Sequence, residues 1–216
     1  MPIILDGKTV SNAIRNQLRS EISAIPGRKP KLTTLLIGND ESAKVYIRNK
    51  EKACYEVGIE SEQINFPDSI SEQELCQEIQ KINHNPSVDG ILIQMPLPKT
   101  INPDNVVNSI TPDKDVDCLH PINLGLLCAG NGIFIPNTPQ SVMSILSYYQ
   151  IPIQGKRAVV IGRSNIVGKP VALLLLQNNA TVTICHSKTL DLPAISREAD
   201  ILVVAIGKPG MIDQSY

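Results

Sequence analysis

Apolar residues recur along the chain with the periods of alternating helices and strands. In the first half they stand at helical spacing (Ile14, Leu18, Ile22) and then in short continuous runs that are typical of buried strands. The predicted elements are helices over residues 10–25, 42–57 and 71–83, and strands over residues 32–37, around Ile64 and over residues 90–95. Pro96 and Pro98 end the last strand. The pattern predicts an N-terminal α/β domain.

The second half follows a strand–helix–strand–helix–strand pattern. It is preceded by a proline- and asparagine-rich tract, residues 96–139, in which we expect loops and one short helix, and by a connecting helix from Thr138 to Gln150. Continuous apolar strands are predicted at residues 157–161, 180–185 and 201–206. This order is typical of the mononucleotide-binding half of a doubly wound parallel fold. We therefore predict two α/β domains, residues 1–139 and residues 140–216.

A glycine turn, residues 162–168, follows the first of these strands. Gly162 permits a tight turn and close backbone approach, and the helix that follows offers unpaired N–H groups and a positive dipole end to a pyrophosphate. Ser164 stands where the second glycine of the usual dinucleotide-binding motif would be, so a plain structural turn is the alternative.

The end of the second strand distinguishes NAD from NADP. An NAD site usually has a carboxylate about 20 residues after the first glycine, where it accepts hydrogen bonds from the ribose hydroxyls. Here the strand continues into His186, Ser187 and Lys188, and the first acid is Asp191. Hydroxyls and cations such as Lys188 and Arg163 would hold a 2′-phosphate that a carboxylate would repel. The sequence therefore favours NADP, with solvated surface cations as the alternative.

Composition and charge restrict the function classes. The chain of 216 residues has a formal net charge of −1 and 3% aromatic residues, so neither charge nor stacking surface indicates nucleic-acid binding. The N-terminus lacks a basic leader and no apolar run approaches a bilayer-spanning length, so we expect a cytoplasmic protein without membrane contact. Five cysteines without a C-x-x-C pair argue against a disulfide framework or a zinc site.

One predicted helix face carries a candidate reactive pair. Ser42, Tyr46 and Lys50 stand four residues apart and therefore share one face of the helix over residues 42–57. If that face is buried, desolvation lowers the pKa of the lysine and lets it move a proton, whereas on a solvated helix the spacing has no function. Gln94 ends a buried strand, where α/β sites collect polar groups; the alternative is an ordinary amide satisfied by a loop.

An acidic loop, residues 113–117, carries three carboxylates at alternate positions. Their oxygens suit Ca²⁺ or Mg²⁺, but no glycine turn and no closing glutamate follow at the spacing of a calcium loop. A solvated turn is the second interpretation, and a carboxylate that binds an amino-heterocycle is the third. Cys118 and His120 stand two apart in an extended loop and would point to opposite sides, which disfavours a nucleophile and base pair.

Seven motifs follow one another along the chain in a characteristic order. They are Tyr46-x-x-x-Lys50, Val88 to Pro98, Asp113 to Asp117, Pro136 to Pro139, Gly162 to Pro170, Cys185 to Thr189 and Ala199 to Pro209. In these motifs the chain resembles the bifunctional methylenetetrahydrofolate dehydrogenase/cyclohydrolases, from about Leu5 to its last residues. The resemblance implies oxidation of 5,10-methylenetetrahydrofolate with NADP⁺, hydrolysis of the methenyl product to 10-formyltetrahydrofolate, and a homodimer. It implies a folate-binding catalytic domain followed by a Rossmann-like NADP-binding domain.

The same resemblance assigns roles to single residues. Lys50 becomes the central acid/base residue, Tyr46 the ring that packs on the folate, Gln94 the partner that tunes Lys50, and Asp117 the pterin anchor. The implied cofactor-binding residues are Gly162, Arg163, Ser164, Ile166, Gly168, His186, Ser187 and Gly207. No metal is implied.

The chain departs from the family pattern in two loops and at its end. Cys118 stands where members usually have glycine, and its side chain could narrow the pocket or force a different backbone angle. Asn137 and Ser141 replace a usual cysteine and glycine. Members continue beyond Pro209 with further strands and a last helix, so we expect a C-terminally incomplete NADP-binding domain, in which the strand before the glycine turn has one unpaired flank.

Two other functions compete with this interpretation. A short-chain dehydrogenase also uses Tyr-x-x-x-Lys, but its glycine turn precedes that pair, whereas Gly162 follows Lys50 here. An inactive or weakly active nucleotide-binding or assembly module is the alternative if the chain is naturally short.

Overall fold

The computed structural model describes residues 2–216, which form two compact α/β units. Gly7–Ile122 is one unit, and Asn123–Tyr216 with the N-terminal segment up to Asp6 is the other. The helices are α1 (Gly7–Ala24), α2 (Glu41–Val57), α3 (Glu72–Asn83), α4 (Pro103–Asn108), α5 (Pro121–Cys128), α6 (Asn137–Tyr148), α7 (Gly168–Gln177) and α8 (Leu192–Arg197). The strands are β1 (Lys31–Ile37), β2 (Glu60–Phe66), β3 (Gly90–Ile93), β4 (Arg157–Ile161), β5 (Thr181–Cys185) and β6 (Ile201–Val204). No helix within residues 2–216 is both long and apolar enough to cross a membrane.

The sheet of the first unit consists of three parallel strands in the order β2-β1-β3. Its core on one face is formed by the aliphatic side chains of Leu35, Ile37, Leu75, Ile79, Ile82, Val88, Ile91, Ile93, Ile101, Val106 and Ile110. Each such side chain contributes about 1.5–3 kcal/mol when it leaves water. A second cluster of Leu36, Ala43 and Ile47 packs α2 against β1. Burial of one face of α2 in this way fixes the direction in which its other side chains point.

Residues at both ends of α2 define its limits. The carboxylate of Asp40 accepts the backbone N–H of Ser42 at 2.8 Å, and Gly58 ends the helix in the left-handed conformation with φ of 87°. β1 ends at Ile37, only a few residues before this cap. The first turns of α2 therefore lie near the carboxyl edge of the sheet, where α/β proteins place their sites.

The sheet of the second unit has β4 in its centre. β5 and β6 pair with β4 in parallel on opposite sides, so the strand order is β5-β4-β6. The core is formed by Leu146, Ala158, Val160, Val171, Ala172, Leu175, Ala180 and Ile201, from α6, α7 and the strands. The expectation that the strand before the glycine turn has an unpaired flank is wrong, because the chain crosses from β5 to the other side of β4 and β6 occupies that flank.

The α/β class and the parallel sheets agree with the sequence analysis, but the tract over residues 96–139 contains more helix than expected. Besides a 3-10 turn at Pro112–Lys114, both α4 and α5 precede α6. The side chain of Asn102 caps α4 by accepting the N–H of Asp104 at 3.0 Å. Helices this short show no clear hydrophobic period, so capping residues are the sequence signal by which they can be predicted. The domain limit at residue 139 stays a prediction.

We expect Gly162→Ala to destabilise the fold by about 2–4 kcal/mol. Gly162 has φ of 132°, and a Cβ atom there would overlap the backbone carbonyl oxygen of Ala205. Gly155→Ala is the matched control, because Gly155 has φ of 76° with nothing near the added atom, so only backbone strain is introduced. Urea unfolding measures both variants. Equal losses would show that the contact with Ala205 is not what requires glycine.

Candidate active site

Tyr46 and Lys50 stack on one face of α2. The Nζ atom of Lys50 lies 4.8 Å from the centroid of the Tyr46 ring, which is a cation–π distance. Tyr46 is 58% exposed, so much of its ring is open to a ligand. The hydroxyl of Ser42, the third residue predicted on this face, instead donates to Asp40 Oδ1 at 2.8 Å within the helix cap. The structure therefore joins Tyr46 to Lys50 and places Ser42 in the cap.

The surroundings of Lys50 favour release of its proton. Its side chain is half-buried, and desolvation lowers the pKa of the ammonium below its ordinary value. The carboxylate of Asp117 and the thiol of Cys54 act in the opposite direction and raise that pKa. Asp117 and Lys50, which lie on different elements, are thus coupled electrostatically.

Gln94 directly follows β3 and has half of its side-chain amide unsatisfied. Its Nε2 donates to the carbonyl oxygen of Met95 at 3.0 Å. The Oε1 atom is buried, and no group within residues 2–216 donates to it. A buried acceptor without a donor costs about 1–3 kcal/mol. Met95 thus accepts one N–H of the Gln94 amide, whereas Oε1 remains available to a donor from a ligand or from another side chain.

The acidic loop, residues 113–117, is a structured turn. It resembles neither a metal-binding loop nor a fully solvated turn. Asp115 is only 1% exposed, and its two carboxylate oxygens accept the backbone N–H groups of Leu119 at 3.2 Å and His120 at 2.8 Å. Asp113 is exposed and Asp117 is half-buried. Within residues 2–216 no cluster of three or more His, Cys, Asp or Glu side chains could hold a metal ion. Asp115 could not be singled out from the sequence, because its partners are backbone groups that no pattern of residue types reveals.

Cys118 has a backbone conformation that normally favours glycine. Its φ is 55°, in the left-handed region, and its side chain is completely buried. The thiol therefore lies in the protein interior, and a left-handed residue with a side chain carries backbone strain. Burial and the nearby Asp115 carboxylate raise the pKa of this thiol to about 11. A thiol of this kind is a poor nucleophile at neutral pH, which further disfavours a reactive Cys118–His120 pair.

The glycine turn between β4 and α7 is tightly packed on itself. A Cβ atom on Gly168 would overlap the carbonyl of Gly162, so this glycine serves the close approach of helix and strand. The Oγ atom of Ser164 accepts the N–H groups of Val167 at 3.1 Å and Gly168 at 3.3 Å. The expectation that the helix N-terminus offers unpaired N–H groups needs correction, since Ser164 accepts the N–H of Gly168 with its Oγ and that of Lys169 with its carbonyl oxygen at 3.0 Å. Arg163, Ser164 and Ile166 are exposed on the turn.

The segment after β5 forms a second turn beside the first. The N–H of Gly162 donates to the carbonyl of Cys185 at 2.8 Å, which joins the carboxyl ends of β4 and β5. Past this point the N–H of Thr189 donates to the carbonyl of His186 at 2.8 Å, and ring Nδ1 of His186 accepts the N–H of Lys188 at 3.2 Å. Nδ1 is thus an acceptor, so the neutral ring carries its proton on Nε2.

The groups at this edge suit a 2′-phosphorylated dinucleotide. Arg163, Ser187 and Lys188 are exposed, and together they supply two cations and a hydroxyl. Asp191, the first acid after β5, is the N-cap of α8, where its carboxylate accepts the N–H of Ala194 at 3.4 Å. The Asp191 carboxylate therefore serves as a helix cap. The donor set fits NADP better than NAD, whose ribose a carboxylate usually binds. Gly207 follows β6 with φ of 61°.

Comparison with known proteins gives a consistent result over both units. Residues 5–117 match the family model of the tetrahydrofolate dehydrogenase/cyclohydrolase catalytic domain, and residues 136–216 match that of the NAD(P)-binding domain of the same enzymes. The bifunctional protein FolD of Solibacter usitatus is 49% identical over 100% of this chain and 71% of its own length. That of Exiguobacterium sibiricum is 45% identical over 98% of this chain and 77% of its own length.

Solved structures agree with the sequence relatives. The FolD methylenetetrahydrofolate dehydrogenase/cyclohydrolase of Campylobacter jejuni superposes with a TM-score of 0.96 at 41% identity, covering 99% of this chain and 77% of its own. The Trypanosoma brucei enzyme, solved with NADP and an inhibitor, has a TM-score of 0.91 at 36% identity, covering 98% of this chain and 75% of its own. This chain belongs to the bifunctional tetrahydrofolate dehydrogenase/cyclohydrolase family.

Proposed function

We propose that this chain oxidises 5,10-methylenetetrahydrofolate with NADP⁺ and hydrolyses the resulting 5,10-methenyltetrahydrofolate to 10-formyltetrahydrofolate. The single observation that carries the proposal is the half-buried Lys50, whose pKa is lowered by desolvation and whose Nζ lies on the ring of Tyr46. The membership of this chain in the bifunctional family supports the same two reactions.

The oxidation needs a lysine that is not permanently charged. Removal of a hydride from the methylene carbon leaves a delocalised cation on the folate, and a fixed ammonium beside it would oppose that charge. The lowered pKa of Lys50 reduces this repulsion, because it increases the neutral fraction of the side chain. The exposed ring of Tyr46 provides a flat surface against which the folate can be oriented. Bound NADP⁺ supplies the hydride acceptor.

The hydrolysis uses Lys50 as a general base. Neutral Nζ takes a proton from a water molecule as the water oxygen bonds to the methenyl carbon. The C–N bond to the leaving nitrogen then breaks as the added oxygen becomes the formyl C=O. Its remaining proton is released to solvent, and the proton held on Lys50 passes to the leaving nitrogen. Gln94 is proposed to assist this proton transfer by accepting an N–H of Lys50 with its buried Oε1. No group within residues 2–216 donates a hydrogen bond to that oxygen.

Asp117 is proposed as the anchor of the pterin. A carboxylate accepts two parallel N–H bonds from an amino-heterocycle, and Asp117 is half-buried at the end of a structured turn. The negative charge of Asp117 also raises the pKa of Lys50, and it therefore acts against the lowering of that pKa by desolvation. Binding and proton transfer are thereby linked through one carboxylate.

The cofactor-binding residues are proposed in two groups. Arg163 and Ser187 hold the 2′-phosphate, because both are exposed where β4 and β5 end. The remaining proposed residues, which form the two turns and the end of β6, are Gly162, Ser164, Ile166, Gly168, His186 and Gly207. Ser164 keeps a hydroxyl proton to donate to a phosphate oxygen, since within the turn its Oγ acts as an acceptor.

Location and assembly are also proposals. The family resemblance supports a cytoplasmic homodimer that binds tetrahydrofolate substrates and neither nucleic acid nor membrane. An assembly module without activity is the alternative function. Light scattering of the purified chain measures its oligomeric state directly.

Two absorbance assays test the enzymatic proposal. We expect the purified chain to form methenyltetrahydrofolate from methylenetetrahydrofolate and NADP⁺, and to consume added methenyltetrahydrofolate in the absence of cofactor. The second assay separates hydrolysis from oxidation. NADP binding without either reaction would favour the assembly module.

A further inference from the structure

The turn that carries Asp117 is tied to the protein on both sides. The N–H of Cys118 donates to the carbonyl of Asp115 at 3.2 Å, so residues 115–118 close a tight turn with Asp117 at its third position. The left-handed conformation of Cys118, with φ of 55°, redirects the chain directly after Asp117. The direction of the Asp117 side chain therefore depends on what fixes the two ends of this turn.

β3 fixes the first end. Asp115 forms a parallel bridge with Ile91, and a Cβ atom on Gly90 would lie 2.5 Å from the side chain of Val116. The turn thus rests against the start of the strand that Gln94 follows. The absence of a side chain at Gly90 is what allows this approach.

The carboxylate of Asp115 fixes the second end. It is 1% exposed and accepts the N–H groups of Leu119 and His120 at 3.2 and 2.8 Å. His120 in turn accepts the N–H of Ile122 on ring Nδ1 at 3.1 Å, at the start of α5. A carboxylate is expensive to bury, so its two backbone donors must offset a large desolvation cost. The side chain of Asp115 thereby connects the first residue of the turn to the residues that directly follow it.

We propose that Asp115 is a positioning residue for the folate reactions: its buried carboxylate closes the turn so that Asp117 is held where it meets the pterin and Lys50. The inference rests on the proposed function. It assigns no contact with substrate to Asp115, which acts through Asp117.

The test compares Asp115→Asn with Asp113→Asn. The first substitution keeps the shape of the side chain but removes its charge and turns an NH₂ group toward a backbone N–H, whereas Asp113 is an exposed acid of the same loop. For Asp115→Asn we expect KM for methylenetetrahydrofolate to rise about tenfold, with kcat within about threefold and KM for NADP⁺ unchanged. For Asp113→Asn we expect all three values to stay unchanged. A fall in kcat with both KM values unchanged in Asp115→Asn would overturn the proposal, because it would report only a smaller folded fraction.

The pH profile and a double variant provide readouts that a purely structural role would not move. Asp117 raises the pKa of Lys50, so displacing its carboxylate lowers that pKa, and the ascending limb of kcat/KM shifts to lower pH. Asp115→Asn and Asp117→Asn should shift the limb in the same direction, and the double variant should resemble Asp117→Asn alone. Additive effects of the two substitutions would overturn the proposal.

Folding and function are controlled separately. If Asp115→Asn does not fold, Asp115→Ser retains one oxygen acceptor and replaces it in the test, and failure of both to fold would mean that Asp115 serves folding alone and would refute the positioning role. If the unsubstituted chain lacks both reactions, the proposed function fails. An active chain in which Asp115→Asn behaves like Asp113→Asn rejects only the positioning role.

Discussion

Replacing Lys50 with methionine is expected to slow hydrolysis of methenyltetrahydrofolate by at least about 100-fold, because general acid–base catalysis contributes about 10²–10⁴-fold. Methionine retains an apolar stem that can lie along the Tyr46 ring but has no group that takes a proton. The lowered pKa of Lys50 shows that the fold already disfavours its charge, so the substitution should leave the stability of the fold largely intact. Initial rates at saturating substrate and a urea unfolding curve measure the two effects.

Two further variants sharpen this result. Lys52→Met changes an exposed lysine on the same helix and should leave hydrolysis unchanged. Lys50→Arg keeps a positive charge that cannot be released near neutral pH, so it should be as inactive as Lys50→Met if proton transfer is the function. Activity in Lys50→Arg would reassign Lys50 to electrostatic binding, and activity in Lys50→Met would reject it as the base.

Local pattern was sufficient to predict the elements that build the catalytic face. α2 was predicted over residues 42–57 and spans Glu41–Val57. The strand predicted over residues 90–95 begins as expected at Gly90 but stops at Ile93, two residues before its predicted end. The strand order of the second unit was not predictable in this way. Whether β6 pairs beside β5 or across β4 depends on a crossover, and an apolar run of four residues has no information about it.

In the candidate site, too, some features could be predicted from the sequence and others could not. The pair of Tyr46 and Lys50 follows from helix geometry, since residues four apart must be neighbours. Three features needed the structure: the unpaired oxygen of Gln94, the buried carboxylate of Asp115, and the capping hydroxyl of Ser164. Each depends on how a side chain meets backbone groups in a turn, and turns are set by dihedral angles that residue types only weakly specify.

Removing the guanidinium of Arg163 is expected to weaken NADP binding by about 1.5–3 kcal/mol, which is about 10- to 150-fold in Kd, while NAD binding changes little. The reason is that NAD lacks the 2′-phosphate with which we pair Arg163. Arg163 is exposed on the glycine turn, so Arg163→Ala removes charge without opening the core. Fluorescence titration or calorimetry with each dinucleotide measures the difference.

The matched control is Arg157→Ala, at the opposite end of the same strand. Arg157 is exposed and pairs with Glu198 at 3.1 Å, so its removal changes net charge by the same amount away from the turn. If long-range charge attracted the cofactor, both variants would weaken NADP binding, and the loss would disappear at high salt. Only a loss confined to Arg163→Ala and to NADP supports the 2′-phosphate contact. Equal weakening of NADP and NAD by Arg163→Ala would instead place this side chain at the pyrophosphate, which both dinucleotides share.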